Sequence, residues 1–395
     1  MILSFNFSTI PQIRFGPGMI NQIFDIVPQY GKNLLYVIGE SSLKKSKKWI
    51  KITEESDKYS LNYFIVSISG EPSPHQINSF VDQYRNEKID LIVGIGGGSV
   101  MDAGKAISAM LLKMDSVEDY LEGVGTKKHD GIKIPYIAIP TTAGTGSEAT
   151  KNAVLSEVGP KGFKKSLRHD NFIPDYAIID PELTISCPKS ITAACGLDTF
   201  TQLLEAYTSN KSNPITDSLA YNGMEYMKDS IIPVSTTSPS DLNLRSKMAY
   251  GSLISGICLA NAGLGIIHGL ASSIGGLFRV PHGIVCGTLL AESTKFNIMN
   301  LKNVGSSGTE ALQKYASIGA LLNGKKSINL TQIDSYCSIL IKNLERWIND
   351  LDIQRLGNFG IKVKDIEKIV SITGLKNNPV MLSKEDIYKI VKSRI

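Results

Sequence analysis

The chain is poor in cysteine, histidine and aromatic residues. Its 395 residues include five cysteines, five histidines and 7% aromatic residues. The cysteines are odd in number, widely spaced and without a CxxC pair, a pattern that excludes a disulfide scaffold and a zinc ribbon. We therefore predict reduced, mostly buried thiols in a reducing compartment.

Long apolar runs are also missing. No stretch approaches the roughly 18 uninterrupted apolar residues of a membrane-spanning helix, and the N-terminal sequence MILSFNFSTIPQIRFG lacks the features of a signal peptide. The formal net charge is only +5, and the basic clusters carry no interleaved aromatic residues, which favours a solvated surface over nucleic-acid binding. We expect a cytoplasmic protein whose partners include neither a membrane nor a nucleic acid.

The pattern that is present changes along the chain. Between about residues 33 and 180, short β-branched runs alternate with helical segments, as in a parallel sheet with crossover helices. The expected strands are residues 33–39, 63–69, 89–97, 136–140 and 176–180, and helices are expected at 76–88 and 99–114. Beyond Pro188 the strand signal nearly stops, and helical spacing appears at residues 190–208, 214–229, 242–261, 309–322 and 331–350.

The length agrees with two domains, because a single hydrophobic core stops growing at roughly 250 to 300 residues. We predict an α/β domain, a parallel sheet with flanking helices, over residues 1–188. An all-helical domain is predicted over residues 189–395.

Two glycine-rich loops follow predicted strands. The first lies in GIGGGSVMDAGKA (94–106), where Gly97, Gly98 and Ser99 open a helix whose unpaired N–H groups suit an anion. The second lies in PTTAGTGSEAT (140–150), where Thr141 and Thr142 offer hydroxyl donors. Either loop alone is equally compatible with a structural turn or a helix cap. Because the carboxyl ends of parallel strands meet at one edge of a sheet, the pair favours dinucleotide binding.

A possible metal site occurs in the helical half. Asp198 and Gln202 are four residues apart and share one face of a predicted helix, and His268 and His282 follow. One carboxylate and two imidazoles can bind Zn²⁺ or Fe²⁺ and leave positions for water and substrate. Spacing alone leaves open the commoner case of a buried histidine that only satisfies a backbone carbonyl.

Several segments resemble, in the same order, the signature blocks of the iron-containing (group III) alcohol dehydrogenase family. They are GGGSVMDAGKA, PTTAGTGSEAT, NFIPDYAIIDPELT, GLDTFTQLLEAYTS and GLGIIHGLASSIGGLFRVPHGI, and RFGPG at 14–18 extends the likeness. The resemblance implies a dinucleotide-binding α/β domain and an all-helical domain in a dehydroquinate synthase-like architecture, with catalysis in the cleft between them. It also implies hydride transfer between NAD(P)(H) and a primary alcohol or aldehyde, in a homodimer.

The resemblance assigns roles to individual residues. Gly97, Gly98 and Ser99 would hold the pyrophosphate with Asp102 beside them. The other implied cofactor contacts are Thr141, Thr142 and Lys165, the last placed just before a strand-like segment. The implied metal ligands are Asp198, Gln202, His268 and His282, and Asp198, His268 and His282 would carry the catalysis.

The sequence departs from the family pattern at three positions. Gln202 stands where relatives have a histidine ligand, and a neutral amide is a weaker donor than imidazole, so a divalent metal is expected but not iron in particular. Ser272 stands where many members carry a histidine that relays protons. Gly39 replaces the acidic residue that NAD-preferring members use to bind the ribose 2′-OH.

The third departure bears on the choice of cofactor. Ser41, Ser42 and the nearby Lys44 or Lys45 would be able to receive a 2′-phosphate, while Glu40 argues against it. We favour NADP(H) over NAD(H). Three alternatives stay open: a metal-independent reductase of the maleylacetate reductase type, a dehydroquinate synthase-type lyase, and a catalytically impaired nucleotide-binding protein.

Overall fold

A computed structural model describes residues 4–40 and 42–395 of the chain. The chain forms two compact units. One consists of Ser8–Glu157 and Lys164–Cys187, and the other of Pro188–Ile395, Val158–Phe163 and residues 4–7. We call them the sheet unit and the helical unit.

The sheet unit is built on six parallel strands in the order β1-β8-β5-β4-β2-β3. The strands of this sheet are β1 (Gln12–Phe15), β2 (Asn33–Gly39), β3 (Asn62–Ile68), β4 (Leu91–Gly96), β5 (Tyr136–Pro140) and β8 (Tyr176–Ile179). A separate two-stranded sheet pairs β6 (Asn152–Glu157) with β7 (Phe163–Arg168). All six residues of β4 are buried, as expected for a strand covered on both faces.

Helices of the sheet unit connect these strands. They are α1 (Ile23–Ile26), α2 (Lys47–Lys58), α3 (Pro74–Tyr84) and α4 (Gly98–Met110). A hydrophobic core beneath the sheet includes Leu34, Tyr36 and Ile38 of β2 and Leu91 of β4. The alternate spacing of Leu34, Tyr36 and Ile38 along β2 places these three side chains on one face of the sheet.

Ten helices make up most of the helical unit. They are α5 (Lys189–Thr208), α6 (Pro214–Met227), α7 (Ile231–Ser235), α8 (Leu242–Ala262), α9 (Ile266–Leu277), α10 (His282–Asn303), α11 (Thr309–Leu322), α12 (Ile333–Asp350), α13 (Ile366–Ile372) and α14 (Lys384–Lys392). Helix α5 packs against α6, α8 and α10 and is buried almost all round. Its buried polar side chains, among them Asp198, Gln202 and Glu205, are unusual in such a position and mark a functional candidate.

The predicted fold class is confirmed. The five expected strands correspond to β2, β3, β4, β5 and β8, and every helix predicted from spacing is present. The structure corrects one detail at Lys165, which lies within β7 and not before it. Within the described residues no single helix is long and apolar enough to cross a membrane. Helices α8 and α9, which are bent by 97° relative to each other, have the length and apolar composition of a membrane span only when taken together.

Candidate metal centre and nucleotide site

Four potential metal ligands meet inside the helical unit. Asp198 lies on α5, His268 on α9, His282 at the start of α10 and Cys286 one turn further along α10. Asp198 Oδ1 lies 3.3 Å from His268 Nε2 and 3.6 Å from His282 Nε2. Cys286 Sγ lies 3.7 Å from each of these nitrogens. One donor atom from every residue falls within 4.8 Å of the others, and we call this group the donor cluster.

Glu205 orients the first imidazole. It follows Asp198 by two turns of α5, and its Oε2 accepts a hydrogen bond of 2.7 Å from His268 Nδ1. Its other oxygen, Oε1, accepts one of 2.7 Å from the backbone N–H of Ile267. A histidine that donates through Nδ1 to a carboxylate presents the lone pair of Nε2 to a metal. Glu205 therefore selects the tautomer of His268 that binds a cation.

The electrostatics of the donor cluster reflect its burial. Burial alone raises the pKa of Asp198, but the nearby His282 and His268 outweigh it and lower that pKa to about 2. Burial lowers the pKa of His268, yet Cys286, Asp198 and Glu205 together raise it well above its usual value. Burial and Asp198 raise the pKa of the Cys286 thiol to about 12. A divalent cation would be the largest local charge and would favour the deprotonated forms of His268 and Cys286.

A divalent cation fits the donor cluster. Asp198 Oδ1 is buried and makes no hydrogen bond of normal geometry within the described part of the chain. Two donor atoms about 2.0–2.1 Å from a tetrahedral ion lie about 3.4 Å apart, close to the 3.3 Å and 3.6 Å that separate Asp198 Oδ1 from the two imidazoles. The cluster supplies the mixed oxygen, nitrogen and sulfur donors that zinc accepts.

Two further residues singled out in the sequence lie beside the cluster. Gln202, one turn after Asp198, is buried, and its Oε1 accepts a hydrogen bond of 2.9 Å from Ser255 Oγ. Ser272, one turn after His268, donates its hydroxyl proton to the carbonyl oxygen of His268 at 2.9 Å. Neither side chain is part of the donor cluster.

Glu205→Gln tests the role of Glu205. An amide has only one oxygen to serve both Ile267 N–H and His268 Nδ1, so the imidazole loses its orienting acceptor. We expect Zn²⁺ affinity to fall by roughly 10- to 100-fold, the usual effect of losing such a partner. Competition with a chromophoric chelator measures it. Glu225→Gln, an exposed change on α6, serves as the control, and equal affinity of both variants would contradict the assignment.

The nucleotide candidates lie at one edge of the parallel sheet. Gly39 ends β2, Gly97 follows β4 and Thr141 follows β5, and these strands are neighbours in the order β5-β4-β2. The backbone N–H of Thr141 donates to the carbonyl oxygen of Gly96 at 2.8 Å, which ties the two glycine-rich loops together. The chain moves to opposite sides of β2 to form β3 and β4, and such a switch point is where sheets of this type bind ligands.

Helix α4 presents its N-terminus at this edge. Its N-cap is Gly97, which supplies no side-chain cap, so the first backbone N–H groups of the helix lack that partner. A Cβ built on Gly98 would lie 2.6 Å from Thr145 Cγ2, and one on Gly97 would lie 3.4 Å from the side chain of Thr142. The two loops thus pack closely, and the contact with Thr145 requires glycine at position 98.

Asp102 belongs to a polar network behind these loops. Its Oδ1 accepts a hydrogen bond of 2.5 Å from Ser147 Oγ. The buried ammonium of Lys105 donates to Ser147 O, Thr150 Oγ1 and Asn152 O, each at 2.9 Å. The network fixes α4 to the second loop, which gives Asp102 a structural partner whether or not a nucleotide is present.

The remaining predicted cofactor contacts are more exposed. A Cβ on Gly39 would meet no atom within 4 Å, and Ser42 is exposed, while Ser41 lies outside the described residues. Lys165 is exposed on β7, with its Nζ 3.6 Å from the position of a Cβ on Gly123. The structure therefore brings Gly39, the first glycine-rich loop and Thr141 to one edge and places Lys165 on the smaller sheet.

Comparison with known proteins decides the family. The model of the iron-containing alcohol dehydrogenase family matches residues 11–181, and that of the C-terminal region of the Fe-containing alcohol dehydrogenase family matches residues 192–395. Long-chain-alcohol dehydrogenase 1 of Geobacillus thermodenitrificans is 31% identical over 97% of this chain and 95% of its own length. The chain belongs to the iron-containing alcohol dehydrogenase family. It is thus an oxidoreductase of the alcohol dehydrogenase type.

Other members of the family are similar over the full length. The NAD-dependent methanol dehydrogenase of Bacillus methanolicus is 27% identical over 99% of this chain and 100% of its own length. The crystal structure of a 1,3-propanediol oxidoreductase matches with a TM-score of 0.87 at 27% identity, covering 100% of both chains. The ordered sequence blocks thus predicted the family correctly.

Sequence reasoning missed two residues that this family member places at its donor cluster. Cys286 follows His282 by four residues, and Glu205 follows Asp198 by seven, so helical spacing puts each on the face of the residue before it. That spacing was a usable signal, because α10 and α5 are both helical over these positions. The spacing alone does not distinguish a ligand from a buried helix residue, and the position of Cys286 and Glu205 beside the histidines depends on tertiary packing.

Proposed function

We propose that the chain catalyses reversible hydride transfer between a primary alcohol or aldehyde and a nicotinamide dinucleotide, with a divalent cation held by Asp198, His268 and His282. The observation that supports it is the meeting of these three donors, from three helices, at one buried point. When bound, the cation supplies Lewis-acid stabilisation of the negative charge that develops on the substrate oxygen. When bound, the nicotinamide supplies or accepts the hydride.

The protein residues provide the setting for this chemistry. Asp198 and His268 are 2% and 5% exposed, so their charges act in surroundings from which bulk water is largely excluded. Glu205 fixes the imidazole of His268 and keeps its Nε2 directed at Asp198. Since Ser272 gives its proton to the carbonyl oxygen of His268, we propose that water or a ribose hydroxyl carries the proton exchanged with substrate.

The dinucleotide is proposed to bind at the carboxyl edge of the sheet. Backbone N–H groups of Gly98 and Ser99 at the start of α4 would bind the pyrophosphate, with Thr141 and Thr142 contacting the nucleotide. Asp102 would support the loop through Ser147. Lys165 is proposed as a contact to the cofactor or its ribose.

NADP(H) is the cofactor we favour. Among the described residues no atom beyond its two chain neighbours lies within 4 Å of a Cβ placed on Gly39, and position 39 itself carries no carboxylate to repel a 2′-phosphate, although Glu40 follows it. Lys44 and Lys45 are exposed in the turn that follows β2. Lys48, by contrast, is held by Glu182 at 2.7 Å. The exposed pair, with Ser41 and Ser42, is therefore proposed as the phosphate-binding group.

Gly39→Asp should reverse this preference. A Cβ at position 39 meets no neighbour within 4 Å, so a side chain can be introduced there without a clash at its first atom. It would repel a 2′-phosphate and accept hydrogen bonds from a ribose 2′-OH. A charged hydrogen bond contributes about 1.5–3 kcal/mol, so we expect the ratio of kcat/KM for NADPH to that for NADH to fall by about 10- to 100-fold. Gly39→Asn, which keeps the shape without the charge, should shift the ratio less.

We also propose the setting in which the enzyme works. Residues 1–188 and 189–395 would act as the dinucleotide-binding and metal-binding domains. The family resemblance favours a homodimer in the cytoplasm acting on small alcohols or aldehydes.

An activity screen tests the proposed function. Purified protein is assayed for oxidation of NADPH and NADH with short aldehydes, before and after chelation and after return of Zn²⁺ or Fe²⁺. We expect turnover that chelation removes and the metal restores. Full activity after exhaustive chelation would instead support a metal-independent reductase of the maleylacetate reductase type. Tight nucleotide binding without turnover across a broad panel would support a non-catalytic nucleotide-binding protein.

A further inference from the structure

The thiol of Cys286 occupies an unusual position in the donor cluster. It is fully buried on α10, and its Sγ is 3.7 Å from the Nε2 atoms of both His268 and His282. A thiol has one proton and can donate it to only one of them. Since Glu205 already accepts from His268 Nδ1, the Nε2 of His268 faces the Sγ and the oxygen of Asp198 as another potential acceptor. In the neutral tautomer that Glu205 favours, the Nε2 lone pair of His268, the oxygen of Asp198 and the sulfur of Cys286 are directed at one buried point, as the ligands of a single cation are.

The sulfur also lies where a tetrahedral ligand would lie. A sulfur about 2.3 Å and a nitrogen about 2.05 Å from a tetrahedral zinc ion are about 3.6 Å apart. The two observed separations from Cys286 Sγ to the imidazole nitrogens are both 3.7 Å. Together with the spacing of Asp198 from the imidazoles, these are four of the six edges of a tetrahedron of donor atoms, and the other two are no longer than 4.8 Å.

Gln202 is a weaker candidate for the same role. Its carbonyl oxygen lies 2.9 Å from Ser255 Oγ and shares the single proton of that hydroxyl with the carbonyl oxygen of Ser252, which is 2.8 Å away. It is neutral, whereas a cysteine thiolate is an anionic ligand that suits zinc. The contact with Ser255 gives the buried side chain of Gln202 a polar partner, so its burial does not require a metal.

We propose that Cys286, and not Gln202, is the fourth protein ligand of the divalent cation, so that the site is Asp198, His268, His282 and Cys286. The proposal rests on the proposed function for the presence of a cation and goes beyond it in the identity of the ligand. A sulfur donor shifts selectivity from iron towards zinc or cobalt. Zinc expands to five donors in some catalytic steps, so four protein donors still admit a substrate oxygen.

Cobalt spectroscopy of the full-length protein tests the proposal. Metal-free protein is titrated with Co²⁺, and the near-ultraviolet sulfur-to-cobalt charge-transfer band is recorded with the bound metal stoichiometry. Wild type, Cys286→Ser, Gln202→Leu and Cys258→Ser are compared. Cys258 is the matched control, since it is a buried thiol of the helical unit whose Sγ contacts Thr216 O at 3.6 Å, away from the donor cluster. Circular dichroism verifies that each variant is folded.

We expect the band in wild type, Gln202→Leu and Cys258→Ser and its loss in Cys286→Ser. Affinity for Zn²⁺ should fall in Cys286→Ser by roughly 100-fold or more, which exceeds the usual effect of losing a residue that only hydrogen-bonds to a ligand.

Cobalt bound by wild type without the band, or an unchanged band in Cys286→Ser, would overturn the proposal while leaving the proposed function intact. If folded wild type bound no cobalt or zinc at all, the assignment of Cys286 would also be overturned, and aldehyde turnover would then decide separately whether the dehydrogenase activity stands. If Cys286→Ser does not fold, Cys286→Ala is used in its place, and we expect the same loss of the band.

Discussion

Asp198→Asn should lower kcat/KM for aldehyde reduction by about 10³-fold, with most of the loss in kcat. Asp198 is the carboxylate that both imidazoles of the donor cluster approach, at 3.3 Å and 3.6 Å. An amide of the same shape is neutral and binds a divalent cation more weakly. Without the cation, stabilisation of the developing oxygen charge is lost, and removal of a single such interaction typically costs about 10²- to 10³-fold.

Three measurements on this variant distinguish the causes. Steady-state kinetics gives kcat and KM, elemental analysis gives the bound metal, and nucleotide fluorescence gives the affinity for NADPH. Because the residues proposed to bind the nucleotide are unchanged in this variant, we expect nucleotide affinity to stay near that of wild type. Asp229→Asn, at an exposed position of the helical unit, is the control. Activity within tenfold of wild type would favour the metal-independent alternative over the proposed mechanism.

The parallel sheet could be predicted because its strands leave a strong local signal. Strands β4 and β5 are buried at every position and read as unbroken apolar runs, and the glycine-rich loops mark their ends. Strand β1 was missed because it has four residues, mostly exposed, and obtains its stability from pairing with β8 across a separation of more than 160 residues. Pairing at that distance carries no local pattern.

The helices that carry the histidines were also missed, for a different reason. Helix α9 contains several glycines, and both α9 and α10 begin close to glycine, which argues against a helix on propensity alone. Tertiary packing in the helical unit overrides that preference. The sequence blocks nevertheless identified Asp198, His268 and His282 as candidates, whereas their meeting at 3.3–3.6 Å depends on three helices whose arrangement no local pattern encodes.

Gly98→Ala should weaken NADPH binding by about 10- to 100-fold. A Cβ at this position would lie 2.6 Å from Thr145 Cγ2 and 2.9 Å from Thr145 Oγ1, which is closer than these atoms can approach. Either the second glycine-rich loop moves or the start of α4 moves, and both change the N–H groups proposed to bind the pyrophosphate. Loss of one or two charge-assisted hydrogen bonds of about 1.5 kcal/mol or more accounts for the expected factor.

The dissociation constant for NADPH, measured by nucleotide fluorescence, checks this expectation, and thermal unfolding measures the accompanying loss of stability. Gly159→Ala is the control, because a Cβ there meets nothing within 4 Å and the residue does not require a left-handed conformation. If Gly98→Ala lowered stability but bound NADPH as wild type does, Gly98 would serve packing alone and the pyrophosphate site would have to lie elsewhere.

A second substitution separates movement of the loop from direct obstruction by the new methyl group. Thr145→Ala removes both Cγ2 and Oγ1, the two atoms that the added Cβ would meet at less than 3 Å, and the single variant Thr145→Ala controls for the lost acceptor of the backbone N–H of Ser147. In the double variant Gly98→Ala/Thr145→Ala, recovered affinity would show that displacement of the loop weakened binding. Continued weak binding would show that the methyl group itself obstructs the anion at the start of α4, which would locate the pyrophosphate at this helix.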